Sequence, residues 1–248
     1  MHKRLYLANA WLLVLLLSAC RNAAAPAPNL LPTPTPIAFA PLDVLLTSAV
    51  PPQGEVTTGG YLVIDSVGAI LVDGLSFTAD GKAQLLDNSR QIWLGPNVET
   101  SAAQLRAAGA LQFAPVRVQG RLEGPGAYGP SRDYRYQIIG PSIEVIATQE
   151  TTINDLLDHS ASYENRLIRL VGNLIAGNSS ALLVDQLGAG GLPLPKARQI
   201  KLPTPLQDRA LLDRLKSVSG GSIRYGRVQV EGFWQAGVLV PLSIILVT

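Results

Sequence analysis

Few side chains in this 248-residue chain are of types that do chemistry unaided: one thiol, Cys20, and two imidazoles, His2 and His159. A single Cys excludes an intramolecular disulfide and a cysteine-based metal cluster. His159 lies in a polar stretch, Asp155 to Ser162, after a short helical turn, with no Cys or second His nearby. It makes a poor metal ligand and reads as solvent-facing. Asp65, Asp73, Asp80 and Asp87 lack calcium-loop spacing, and Asp73 and Asp185 occupy matching strand ends, where acids cap turns. There is no Gly-x-Ser-x-Gly elbow, and Gly188-Ala189-Gly190-Gly191 lacks the Lys and Ser/Thr of a phosphate loop. The chain therefore reads as non-enzymatic, with no metal and no cofactor.

Residues suited to recognition lie elsewhere. In Glu123–Tyr136 (EGPGAYGPSRDYRY), Tyr128, Tyr134 and Tyr136 interleave with Arg132 and Arg135. Aromatic faces and guanidinium groups in that mixture serve bases, sugars or protein partners equally well. A plain hairpin tip is the simpler reading. In Arg90–Leu94, strand alternation turns Ile92 and Leu94 to the core and leaves Gln91 and Trp93 on the other, more exposed face. Their counterparts in a matching segment are Gln199 and Lys201. Trp93 is then either a stacking platform for a base or sugar ring, or a residue that packs against the linker or the other copy.

Charge narrows the partners. Removing residues 1–19 takes away Lys3 and Arg4 and leaves 18 bases against 18 acids. A balance of zero disfavours nucleic acid, whose phosphates call for a basic surface.

The N-terminus is an address. Lys3 and Arg4 precede a mostly apolar run from Leu5 to Leu17. Thirteen helical residues span about 20 Å, short of the roughly 30 Å hydrocarbon core, so this is a signal-peptide core and not a transmembrane helix. Leu17-Ser18-Ala19-Cys20 follows and resembles the lipobox of bacterial lipoproteins. That resemblance implies cleavage before Cys20, a diacylglyceryl group on its sulfur, and anchoring to a cell membrane on the extracytoplasmic face. In a two-membrane cell the outer membrane is an option. Residues 22–41 contain six prolines and favour an extended tether reaching roughly 60 Å.

Beyond the tether the chain repeats itself. Residues 60–73 lie beside 172–185 at an offset of 112, Arg90–Leu94 beside Arg198–Leu202 at 108, and Val116–Gly120 beside Val228–Gly232 at 112. The lead-ins Leu45-Leu46 and Leu156-Leu157 also agree. The second copy reads as strands over Arg166–Ala176 (bent at Gly172), Ala181–Val184 and Arg198–Leu202. A helix over Leu206–Leu215 follows, then a hairpin pair over Arg227–Trp234 and Val238–Val247. In the first copy a weaker helix falls over Glu99–Ala108, and the last hairpin loop is longer.

Three strands, a helix and two strands resemble the OB-fold, a five-stranded Greek-key barrel. A generic β-sandwich is the alternative. The expected architecture is mainly β, with two tandem OB-fold-like barrels, each with one helix between strands three and four. The expected divisions are a signal peptide over 1–19, anchor and linker over 20–41, and OB-like domains over 42–147 and 148–248. The expected function is a lipid-anchored binding or scaffolding protein that engages an envelope protein or glycan. Single-stranded nucleic-acid binding, which the barrel type suggests, is the alternative.

Overall fold

The computed structural model describes residues 38–47, 54–96, 98, 104–218 and 222–247. The apolar leader, Cys20 and the tether up to residue 37 lie outside the described residues.

The first copy opens with β1 (Phe39–Pro41) and a short helix, α1 (Leu42–Thr47), whose Leu42 and Leu45 are buried in the barrel core. Then come β2 (Gly54–Ile64), β3 (Ala69–Val72), a small hairpin of β4 (Leu75–Phe77) and β5 (Ala83–Leu85), and β6 (Gln91–Gly95). After these follow β7 (Arg106–Ala108), β8 (Leu111–Glu123) and β9 (Gln137–Val145). Pairing runs β2–β3–β6–β9–β8 and returns from β8 to β2, so five strands close a barrel with no free edge. Leu62, Leu71, Ile92, Leu94, Val116 and Val118 fill it.

The second copy repeats the plan. A two-residue strand, β10 (Gln149–Glu150), precedes helix α2 (Ile153–Asp158), which Thr152 caps by accepting a hydrogen bond from Asp155 N. β11 (Leu167–Ala176), β12 (Ala181–Val184) and β13 (Gln199–Leu202) follow, then helix α3 (Arg209–Arg214). The chain finishes through β14 (Lys216–Ser217), β15 (Arg224–Gln235) and β16 (Val238–Leu246). The ring β11–β12–β13–β16–β15 closes in the same order.

The register makes the duplication literal. Tyr61 faces Val72 as Asn173 faces Val184, Leu71 faces Ile92 as Leu183 faces Ile200, and Gly60 faces Val116 as Gly172 faces Val228. The glycines sit where a strand crosses its neighbours closely. A side chain at Gly172 would drive into Leu183 and Ile153. Two closed five-stranded barrels are therefore the fold, and the sandwich alternative falls away.

Helices differ from expectation in two places. Glu99–Ala108 does not continue as a helix, because Arg106–Ala108 is a strand that pairs with Leu111–Phe113 around the turn at Gly109. Residues 99–103 lie outside the described residues. In the second copy the helix is only Arg209–Arg214, since Asp208 caps it by accepting from Leu211 N and Leu215 turns extended.

The barrels pack against each other within one unit, Ile37–Thr248. The first barrel contributes the outer face of β2, β3 and β6 through Tyr61, Val63, Ile70, Val72 and Trp93. The second contributes Leu167, Phe233 and Leu242 to the same apolar cluster. Phe233 lies over Gly59, where any side chain would block it, and its ring meets Phe39 at 5.0 Å. The β4–β5 hairpin of the first copy adds to the edge of β16 at Leu75 and Ser243. Ser76 Oγ donates to Asp208 at 2.9 Å, and Arg214 donates to the Phe77 carbonyl at 2.8 Å.

Candidate functional site

The β8–β9 connection, residues 124–136, is a folded loop and not a loose tip. Tyr128 N donates to Tyr134 O at 2.9 Å, and Gly126 N donates to Arg135 O at 2.8 Å. A turn closed from Arg132 N to Gly129 O leaves Arg132 exposed in the left-handed region at a φ of 61°. Trp93 N donates to Tyr136 O at 3.0 Å, which sews the loop onto β6. The Tyr136 ring packs against the first barrel's core, and Tyr128 is half-buried beside the inter-barrel cluster.

Trp93 corrects an expectation. It is only 8% exposed, and the Tyr134 ring stacks on it with centroids 5.3 Å apart and planes at 24°. Alternation did turn it away from the barrel interior, but its own copy's loop covers that outer face. It is not an open platform. Burial raises the pKa of the Tyr134 hydroxyl, and the charges of Asp65 and Asp133 raise it further.

The loop and β6 together frame a cleft of about 410 Å³. Its lining includes Gln91, Asp133, Tyr134, Arg135 and Tyr136, with Ser89, Arg90 and Leu46 completing it. Arg90 is already engaged: its guanidinium pairs with Asp43 of α1 and reaches Asp73 at 3.4 Å. Asp73 accepts from Arg90 N at 3.0 Å and Ser89 Oγ at 2.9 Å, while burial, the larger effect, raises its pKa. Asp185 repeats this cap by accepting from Arg198 N at 2.9 Å, and Arg198 pairs with Asp158 of α2. Arg135 stands exposed with no ion pair among the described residues, so its charge is available to a ligand.

Of the residues singled out by sequence, the cleft thus gathers Gln91, Tyr134, Arg135 and Tyr136. Tyr128 and Arg132 belong to the same loop but not to the lining. Gln199 and Lys201 are exposed on β13 of the other barrel and do not line the cleft. Cys20 lies outside the described residues.

His159 ends α2 in the open, with Nδ1 3.0 Å from Asp155 Oδ1. Asp155 also accepts from Tyr163 and from Thr151, and these hydrogen bonds, Tyr163's foremost, hold its carboxyl below the usual range. No Ser or Cys side chain is hydrogen-bonded to the His159 ring among the described residues. Nor do those residues contain a group of three or more His, Cys, Asp or Glu that could hold a metal ion.

Sequence reasoning missed the polar centre of the inter-barrel contact. Glu231 on β15 is 2% exposed. Its Oε1 accepts from Tyr61 Oη at 2.6 Å and Arg106 at 2.7 Å, both from the first copy. Its Oε2 accepts from Thr148 at 3.1 Å and from two nitrogens of Arg169, one at 3.0 Å. Burial pushes the Glu231 pKa up, but the hydrogen bonds from Arg106 and Tyr61 with the charges of Arg106 and Arg169 outweigh it. The net shift is downward. The one signal available was an acid at 231 in an apolar strand where the first copy has Gln119.

No protein-family model matches the chain, and no curated protein or solved structure matches it.

Proposed function

We propose that this chain is a lipid-anchored binding or scaffolding protein of the extracytoplasmic side. Cys20 carries the lipid, and the cleft of the first barrel engages an envelope protein or glycan. The supporting observation is the cleft itself. Tyr134 and Tyr136 supply aromatic surface at fixed positions, one backed by Trp93 and the other by the barrel core. Gln91, Asp133, Ser89 and Arg135 surround that surface with donors and acceptors. A concave site with aromatic walls and a few convergent polar groups is the usual form of a small recognition site. Tyr and Arg at such positions anchor sugars and peptide segments alike.

The two barrels then divide the work. The first barrel's outer β2–β3–β6 face is taken up by packing against the second, which orients the cleft on a rigid body. Single-stranded nucleic-acid binding needs open aromatic platforms and a basic track. Burial of Trp93 and a mature net charge of zero both weigh against it.

The test is retention of envelope partners by residues 38–248, immobilised, against the variant Gln91→Ala with Arg135→Ala. Wild-type protein should retain a defined envelope protein or glycan at least about tenfold better than the variant, as expected when a central Arg is lost. Equal retention by the two would remove the cleft from the function.

A further inference from the structure

The connection between the second and third barrel strands has opposite fates in the two copies. In the first copy it carries the β4–β5 hairpin, whose Leu75, Phe77 and Leu85 belong to the inter-barrel cluster. In the second copy it is the loop of residues 187–197, and among the described residues nothing covers its tip. Leu192 is 61% exposed and Leu194 41%. The loop is rigidly based: Leu187 bridges to Pro193, Gly188 N donates to Leu192 O at 2.8 Å, and Gly191 lies against the Tyr225 ring.

The loop, and strands that it joins or touches, carry bases that make no ion pair among the described residues. Residues 186–197 contain no Asp or Glu and one base, Lys196. Asp185 at the loop's base is already used, accepting from Arg198 N. The register sets Lys201, Leu182, Ile175, Tyr225 and Lys216 in one row across five strands, with both lysines exposed. Arg227 stands opposite Asn173, two residues along β15 from Tyr225, and shares a cleft of about 460 Å³ with Leu187 and Lys216. Lys196, Lys201, Lys216 and Arg227 take part in no ion pair among the described residues. Exposed leucines on a turn with unpaired bases on the same loop and on neighbouring strands suit a headgroup region: apolar tips enter the interface and cations meet lipid phosphates.

We infer that the loop of residues 187–197, with Leu192 and Leu194 at its tip, Lys196 within it and Lys201, Lys216 and Arg227 on strands that it joins or neighbours, is a contact surface for an anionic lipid bilayer. A chain tethered by lipid on Cys20 is already held near such a surface, and a second contact through this barrel sets which way the cleft of the first barrel faces. The inference does not require the reading of that cleft.

The experiment is co-sedimentation of residues 38–248, which hold both barrel cores and their interface, with vesicles of phosphatidylcholine alone or with about 30% phosphatidylglycerol. Binding is expected to the anionic vesicles only, to weaken severalfold between about 0.1 and 0.5 M salt, and to fall about tenfold in Leu192→Ser with Leu194→Ser. Lys196→Glu with Lys201→Glu should lower it likewise, with both variants melting as the wild type does. Gln91→Ala with Arg135→Ala should bind vesicles normally even if it loses its envelope partner. Equal binding to neutral vesicles, no binding to either kind, or undiminished binding by the leucine variant would overturn the proposal.

Discussion

Tyr61 in the first barrel donates its phenolic hydrogen to Glu231 in the second at 2.6 Å, across 170 positions of sequence. Both side chains are buried, and Ser243 lies 3.1 Å from the same hydroxyl. Burial first, and then the charge and hydrogen bond of Glu231, raise the Tyr61 pKa far above the ordinary phenol value. Arg106 and Arg169 neutralise the carboxylate from the two copies. This polar centre sits beside the apolar cluster around Phe233 and joins the two copies at buried side chains.

Glu231→Gln removes the anion and leaves Arg106 and Arg169 facing a neutral amide. Urea unfolding should show a loss of about 3 kcal/mol, as for a broken buried ion pair. Tyr61→Phe, which removes one hydrogen bond, should cost about 1–2 kcal/mol.

Acid should weaken the same contact. The native state binds a proton at Glu231 less readily than the unfolded chain does, so the stabilisation is complete above the unfolded carboxyl pKa of roughly 4.3. It is lost progressively as pH falls through the lower folded value. Unfolding free energies measured from pH 7 to pH 3 should decline more steeply in the wild type than in Glu231→Gln. Parallel profiles would contradict the assignment.

Trp93→Ala should act first on stability. A buried indole stacked on Tyr134 is worth about 3–5 kcal/mol on truncation. Thermal unfolding should drop accordingly, and the near-ultraviolet dichroism of the Trp93–Tyr134 pair should disappear.

At Gly59, an added methyl meets Phe233 and Phe39 in the middle of the inter-barrel cluster. Gly59→Ala should destabilise by about 1–3 kcal/mol through overpacking. The equivalent change at Gly237, in an open turn with φ of 80°, should show only the milder cost of its backbone conformation.

The barrels were legible because the chain states them twice. Gly60 and Gly172, Arg90 and Arg198, and Asp73 and Asp185 recur at spacings that match the strand register. What covers each outer face was not legible. Alternation turns Trp93 outward, but no local pattern reveals that Tyr134, forty-one positions on, lies over it. Arg106 sits in a helix-like run of small residues, yet its guanidinium reaches Glu231 and its backbone extends to pair with Phe113. Tertiary partners decided that segment over propensity. Of the cleft, Gln91, Tyr134, Arg135 and Tyr136 were visible as residue types, while Leu46 and Ser89 joined only through folding.

Scanning calorimetry of residues 38–248 tests most directly whether the two copies form one body through Glu231 and the cluster around Phe233. A single transition is expected, with calorimetric and van't Hoff enthalpies equal, and Glu231→Gln should lower its midpoint as a whole. Two separable transitions in the wild type, with only one of them shifted by the substitution, would contradict it.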